Sequence, residues 1–204
     1  RWLQDLTKTS GSSESSGAQS AQRKQQILET IVSLIPVDGG SVSVGFLLRL
    51  LSLANLLGVS PVTKAELVRR SGQQLEGAKP NDLLVPSCNC DDHYSYDIDL
   101  VGALLESFLR LWKRRSRERQ SIKSIINVGK LVDSYLQVVA MDVNMPVQKV
   151  VSLAEAVPEI ARPQHDQLYK AINIYLKVSF NRHEMGLGHT CQQQIPRSLK
   201  PYYY

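Results

Sequence analysis

A chain of 204 residues, 43% hydrophobic and 21% charged, is long enough to bury one core and ordinary in composition for a soluble globular protein. Three cysteines, Cys88, Cys90 and Cys191, exclude a disulfide framework and fit a reducing compartment. No apolar run reaches the roughly 18 residues of a membrane span, because the best candidate, Phe46 to Val59, is broken by Arg49 and Asn55. A net charge of +5 permits an acidic partner without demanding one. With no signal peptide at its start, the chain is expected to be soluble and intracellular.

In chain order, residues 1–8 read as the end of a preceding helix. Residues 9–22, TSGSSESSGAQSAQ, lack periodicity and read as a flexible Ser/Gly-rich linker. The first helix is predicted over about Arg23–Ile35 on Ile27, Leu28, Ile31, Leu34 and Ile35, stopped by Pro36. After the Asp38-Gly39-Gly40 turn, Ser41 or Ser43 caps a second helix, Val44–Leu57, which is apolar nearly all round and so belongs between other helices. Gly58 ends it, and Ser60-Pro61 opens a third that runs to about Leu75. A short helical turn follows around Asn81–Leu84, and then an irregular stretch, PSCNCDDHYSY.

Asp97 caps the next helix, whose inner face is Ile98, Val101, Leu104, Leu105, Phe108 and Trp112. A basic run, Lys113–Arg119, comes next. A long helix from near Ile122 then carries Ile125, Val128, Val132, Tyr135 and Val139 on one face. Asn144 is placed to cap a short helix on Val147, Val150, Val151, Ala154 and Val157, which Pro158 ends. Pro163 opens the last helix, with Leu168, Ala171, Ile172, Tyr175 and Leu176 facing inward, Leu168, Ile172 and Tyr175 against Leu131, Tyr135 and Val139. Residues 178–204 have no period and read as a poorly ordered tail. The fold class is all-α, an irregular array of about seven helices.

Chemistry is thin. Cys88, Cys90, Asp91, Asp92 and His93 crowd six positions, but zinc sites space their cysteines as C-x₂₋₄-C and add a second ligand pair. The only distant partners are His183, His189 and Cys191, so no metal and no cofactor is expected. His165-Asp166 sits in a first helical turn, where the dipole favours a carboxylate, and no nucleophile or phosphate loop accompanies it. Asp133 and Glu155 border apolar faces and are expected to satisfy helix ends or pair with Arg162 or Lys130. The chain is not expected to be an enzyme. Lys113, Arg114, Arg115, Arg117 and Arg119 put five basic residues in seven, a solvated connection or a contact to an anionic lipid surface. A nucleic-acid-binding module is the alternative, but no interleaved aromatics support it and no nucleic acid is expected. Tyr96, Tyr169 and Tyr175 are candidate phosphorylation sites, although at helical spacing tyrosines are more often core or rim residues.

K-L-V-D-S-Y-L (130–136), followed by L-A-E-A-V-P-E-I-A-R-P-Q-H-D-Q-L-Y-K-A-I-N-I-Y-L-K (153–177), resembles the plant non-phototropic-hypocotyl family. Leu28–Leu34, Ser41–Ser43 with Phe46–Leu51, and Tyr96–Val101 stand in the family's order, so the resemblance covers about residues 23–177. It implies a fragment of a larger helical domain that family members join to a BTB/POZ domain. It also implies a non-enzymatic adaptor in phototropic and blue-light signalling. Partners of that kind are receptor kinases at the plasma membrane and, through the BTB/POZ domain, cullin–RING ubiquitin ligases. Localisation is then cytoplasmic, at the inner face of the plasma membrane.

Overall fold

Helix two of the sequence reading is buried on most sides. Leu47, Leu48, Leu50 and Leu51 are each at most 1% exposed, because a helix apolar on all sides is stable only when other helices surround it. The computed structural model of the chain describes residues 14–36, 40–87, 95–115 and 120–184. Among these, seven α-helices follow one another: α1 Glu14–Leu34, α2 Val44–Leu56, α3 Pro61–Gln73, α4 Ile98–Arg115, α5 Gln120–Val139, α6 Val147–Ala156 and α7 Asp166–Glu184. Short 3₁₀ turns occupy Leu75–Gly77, Pro80–Leu83 and Glu159–Ala161. No strand occurs among the described residues; one antiparallel bridge joins Pro86 to Tyr96. None of the described helices is long and apolar enough to cross a membrane.

Local signals set most boundaries. Ser43 Oγ accepts from the Phe46 amide at 3.4 Å to start α2, and Gly58 takes a φ of +63° after its end, in the left-handed region open to glycine. Ser60 Oγ accepts from the Thr63 amide at 3.3 Å, with Pro61 in the first turn of α3. Asp97 Oδ1 accepts from the Leu100 amide at 2.9 Å to cap α4. Its Oδ2 takes a 3.4 Å bond from Asn55 Nδ2, tying α2 to α4. Arg70 on α3 donates to the Ile35 carbonyl at 2.8 Å, past the end of α1, and to Glu66 Oε1 at 2.6 Å. The hydrogen bond from Arg69, with help from Arg70, draws the Glu66 carboxyl down to about 2.

The core runs through α2, α4 and α5. On α5 the predicted face of Ile125, Val128, Val132, Tyr135 and Val139 is at most 1% exposed throughout, and on α4 Ile98, Val101, Leu104, Leu105 and Phe108 are buried as expected. Two glycines mark where backbones meet. A Cβ on Gly72 would lie 2.6 Å from Ser107 Cβ, where α3 crosses α4. One on Gly129 would lie 2.6 Å from the Ala161 carbonyl oxygen, where the 3₁₀ turn Glu159–Ala161 presses on α5.

Several expectations need correcting. Residues 14–22, read as linker, are helical and begin α1; residues 9–13 lie outside the described ones. Ala18, Gln19, Ala21 and Gln22 are good helix formers, and extending an existing helix adds a hydrogen bond for each residue fixed. The inner face of α1 is also rotated: Leu28 and Val32 are buried, whereas Ile27 is 41% and Leu34 75% exposed. The helix rests on the α2–α3 connection along one line, through Gln25 to the Leu57 carbonyl and Glu29 to the Ser60 amide, and that line selects Leu28 and Val32. Asn144 does not cap α6. Asp142 Oδ1 takes the Asn144 amide at 3.0 Å in a local turn, and Pro146 stands at the N-cap. At the other end α7 continues to Glu184, so residues 178–184 of the expected tail are helical.

Gly102 on α4 offers the contrast to Gly129, since a Cβ there meets nothing within 4 Å. Gly102→Ala is therefore expected to stabilise the chain by up to ~1 kcal/mol through helix propensity. Gly129→Ala should destabilise it by ~1–3 kcal/mol through overpacking. Urea denaturation of the two variants checks both signs.

Candidate functional site

Among the described residues, the catalytic candidates do not assemble into one place. His165 is exposed; its carbonyl accepts the Tyr169 amide at 3.0 Å and its ring meets Tyr169 edge-on, with centroids 6.4 Å apart. Asp166, also exposed, opens α7. Asp133, by contrast, is 2% exposed and committed to Arg162, itself 8% exposed. Among the described residues no group of three or more His, Cys, Asp or Glu could hold a metal ion. Cys88, Cys90, Asp91, Asp92, His93, His189 and Cys191 lie outside the described residues. His183 falls on α7.

The Asp133–Arg162 pair is the most buried ion pair among the described residues. Arg162 Nη2 and Nε donate to Asp133 Oδ1 at 2.7 and 3.0 Å, a forked charge-assisted contact. Nη1 donates to the Ala154 carbonyl at 2.6 Å, in the last turn of α6, where helix carbonyls lack partners of their own. One side chain thus joins α5, the end of α6 and the turn that leads into α7. The pairing with Arg162 is one of the alternatives read from the sequence, beside Lys130 and the helix ends. The Ala154 bond was not foreseen, though an arginine set between Ala161 and Pro163 in an apolar run is the signal that could have found it.

Around this pair, polar contacts fasten α7 and the loops. Gln137 Nε2 donates to Gln167 Oε1 at 2.8 Å, and Tyr175 Oη donates to the Met145 carbonyl at 3.2 Å. Asp142 Oδ2 accepts the Ser95 amide at 2.6 Å, and Lys149 Nζ donates to Asp99 Oδ2 at 2.6 Å between α6 and α4. Tyr169 and Tyr175 are half-buried on α7, and Tyr96 is half-buried in its bridge with Pro86.

The basic run is divided. Lys113 and Arg114 are exposed on the last turn of α4, and Arg110 on the same helix is paired with Glu106 at 2.6 Å. Arg115 ends α4, while Arg117 and Arg119 lie outside the described residues. The structure therefore displays two of these five side chains on the surface.

A helical domain tied together by a buried ion pair, with surface charge at one helix end and no catalytic constellation among its described residues, is the class this geometry defines. The NPH3 family pattern matches residues 1–192, and the chain belongs to that family. The match runs beyond residues 23–177, the span of the resemblance seen in the sequence, at both ends. The chain is 51% identical over 186 residues to the BTB/POZ domain-containing protein At5g47800 of Arabidopsis thaliana, covering 87% of this chain and 33% of that protein. It is 39% identical to the phototropic-responsive NPH3 family protein NPY2 of the same plant, over 76% of this chain and 27% of that one. Against root phototropism protein 3 the identity is 38%, over 81% of this chain and 26% of the relative. The chain thus spans between about a quarter and a third of the length of these relatives. No solved structure matches it.

The contact between α5 and α7 is the most extensive between any two helices described, yet its two sides are unequal. Leu131, Tyr135 and Val139 are buried. On α7 only Ala171 is buried, Leu168 packs partly on the core, and Ile172 and Tyr175 are half-buried. Leu131→Ala should therefore cost ~2–5 kcal/mol, as large-to-small core changes do. Ile172→Ala should cost distinctly less. Denaturant melts of the two variants side by side read the difference.

Proposed function

We propose that this chain is the helical part of a non-enzymatic adaptor in plant signalling, one that holds protein partners rather than transforming a substrate. The observation that carries this is the family match over residues 1–192, with relatives named for phototropic response and for a BTB/POZ domain. In this reading the partners are receptor kinases, and the work takes place at the cytoplasmic face of the plasma membrane. A BTB/POZ domain, outside these 204 residues, would link the assembly to a cullin–RING ubiquitin ligase, and the helical domain would contribute to partner recognition. Two exposed cations at the end of α4, continued in sequence by Arg115, Arg117 and Arg119, favour a second, peripheral contact with anionic lipid.

The chain alone is then expected to bind no cullin in a pull-down beside the intact gene product, while keeping affinity for a signalling partner or an anionic surface. Its binding to vesicles containing anionic lipid should weaken as salt rises, because exposed charges are screened within a Debye length of ~8–10 Å. Neutralising Arg114, Arg115 and Arg117 removes ~1 kcal/mol each, so vesicle affinity should fall by roughly two orders of magnitude without unfolding the domain. Tight cullin binding by the chain alone would contradict the division of labour. Salt-independent binding would move the contact to an apolar helix face.

A further inference from the structure

The chain's charge is concentrated in one place. Of its 24 cations and 19 acids, six and one lie between Lys113 and Lys123, so this stretch accounts for the whole net charge of +5 and the rest of the sequence is balanced. Lys113 and Arg114 on the last turn of α4 and Lys123 on the first turn of α5 are exposed. Four residues join the two helices, which holds their ends within ~18 Å of each other. Two apolar stripes run out past the core at this corner. On α4 the buried line of Val101, Leu105 and Phe108 ends in Trp112, which packs only partly on the core. On α5 Ile122 stands one turn before buried Ile125, on the line that continues to Gly129 and Val132, and is 48% exposed. The Glu76 carboxylate, which accepts the Ser124 hydroxyl, meets α5 two positions from Ile122 and so on the opposite side of the helix.

We propose that this corner dips into an anionic bilayer surface, with Ile122 and the open side of Trp112 entering the headgroup boundary and Lys113, Arg114 and Lys123 holding lipid phosphates around them. The inference rests on the lipid contact proposed above and adds an apolar component to it. A few surface cations contribute ~1 kcal/mol each near anionic lipid, and lasting attachment takes a second signal, which buried apolar area supplies. Tryptophan is suited to that depth, because its ring is apolar and its N–H reaches polar groups at the boundary. The lysines can lay their methylene stems beside the apolar pair and keep their charge in the headgroup layer. A nucleic-acid backbone would answer the cations equally well, but it offers nothing to an exposed isoleucine.

The chain has two tryptophans, so Trp2→Phe leaves Trp112 as the sole emitter. On phosphatidylcholine vesicles containing about a third phosphatidylserine, Trp112 should be quenched by lipids brominated near the start of the acyl chain. In the otherwise unaltered chain, Ile122→Ser should keep the helical circular dichroism and leave the salt dependence of co-sedimentation as it was. It should weaken that binding roughly three- to tenfold, the transfer of about half an isoleucine side chain. Arg114→Gln with Lys123→Gln should weaken it by roughly fivefold per charge and flatten the salt dependence. Val62→Ser, at a site 80% exposed on α3, should change nothing. The co-sedimentation arm needs no tryptophan variant and decides the matter if Trp2→Phe proves unstable. Vesicle binding that leaves Trp112 unquenched, or that Ile122→Ser does not weaken, would overturn this inference and leave the electrostatic lipid contact standing. No binding even at low salt would overturn both. Tighter binding of single-stranded RNA, weakened alike by Ile122→Ser, would assign the corner to nucleic acid and overturn it as well.

Discussion

The guanidinium of Arg162 is the constraint on which the second half of the fold depends. Its burial is tolerable because each of its nitrogens finds an acceptor: Nε and Nη2 make three contacts to the Asp133 carboxylate, and Nη1 makes one to the Ala154 carbonyl. A buried ion pair adds little net stability over a well-packed apolar pair, but it punishes misplacement severely. That asymmetry gives it an organising role. With Arg162 seated, Ala161 is pressed onto Gly129 one helical turn before Asp133, and the chain is aimed to begin α7 at Asp166.

The stretch Lys130–Lys177, which holds both members of the pair, carries much of the resemblance to the NPH3 family. Its polar residues divide between two tasks. Asp133, Arg162, Gln137 and Gln167 hold helices together, as their contacts show. Lys170, Asn173 and Lys177 remain exposed on α7. A family signature of this kind marks the integrity of the domain first. What the domain recognises is then decided by the outward residues and by the helix ends, the basic end of α4 among them.

Much of the architecture was legible in the sequence because its causes are local. Ser43, Gly58, Ser60-Pro61 and Asp97 act within a turn of themselves, and the buried faces of α4 and α5 follow a strong 3.6-residue period. What escaped depends on partners distant in the chain. The rotation of α1 toward Leu28 and Val32 is fixed by the α2–α3 connection, thirty residues on, and no periodicity in α1 could state it. The helical state of residues 14–22 comes from propagation rather than from an apolar pattern. Pro146 rather than Asn144 stands at the N-cap of α6, behind a local Asp142 turn that also reaches Ser95. Gly72 and Gly129 were readable in principle, since glycine inside an apolar helix signals close approach of another backbone, but only the structure names Ser107 and Ala161 as the neighbours. Of the candidate site residues, Asp133 was legible from its apolar setting, and the basic run only as charge.

The most direct test is a double-mutant cycle at Asp133 and Arg162, with stability read from urea denaturation. Either single replacement by alanine leaves one buried charge without its partner and should cost ~3–5 kcal/mol. The two should couple by about 2–3 kcal/mol, so that the double variant loses far less than the sum. The apolar pair Asp133→Leu with Arg162→Met should recover most of the stability while leaving the Ala154 carbonyl to be satisfied otherwise. Additive losses, or single replacements costing under half a kilocalorie, would contradict the view that this pair sets the position of everything from α6 onward.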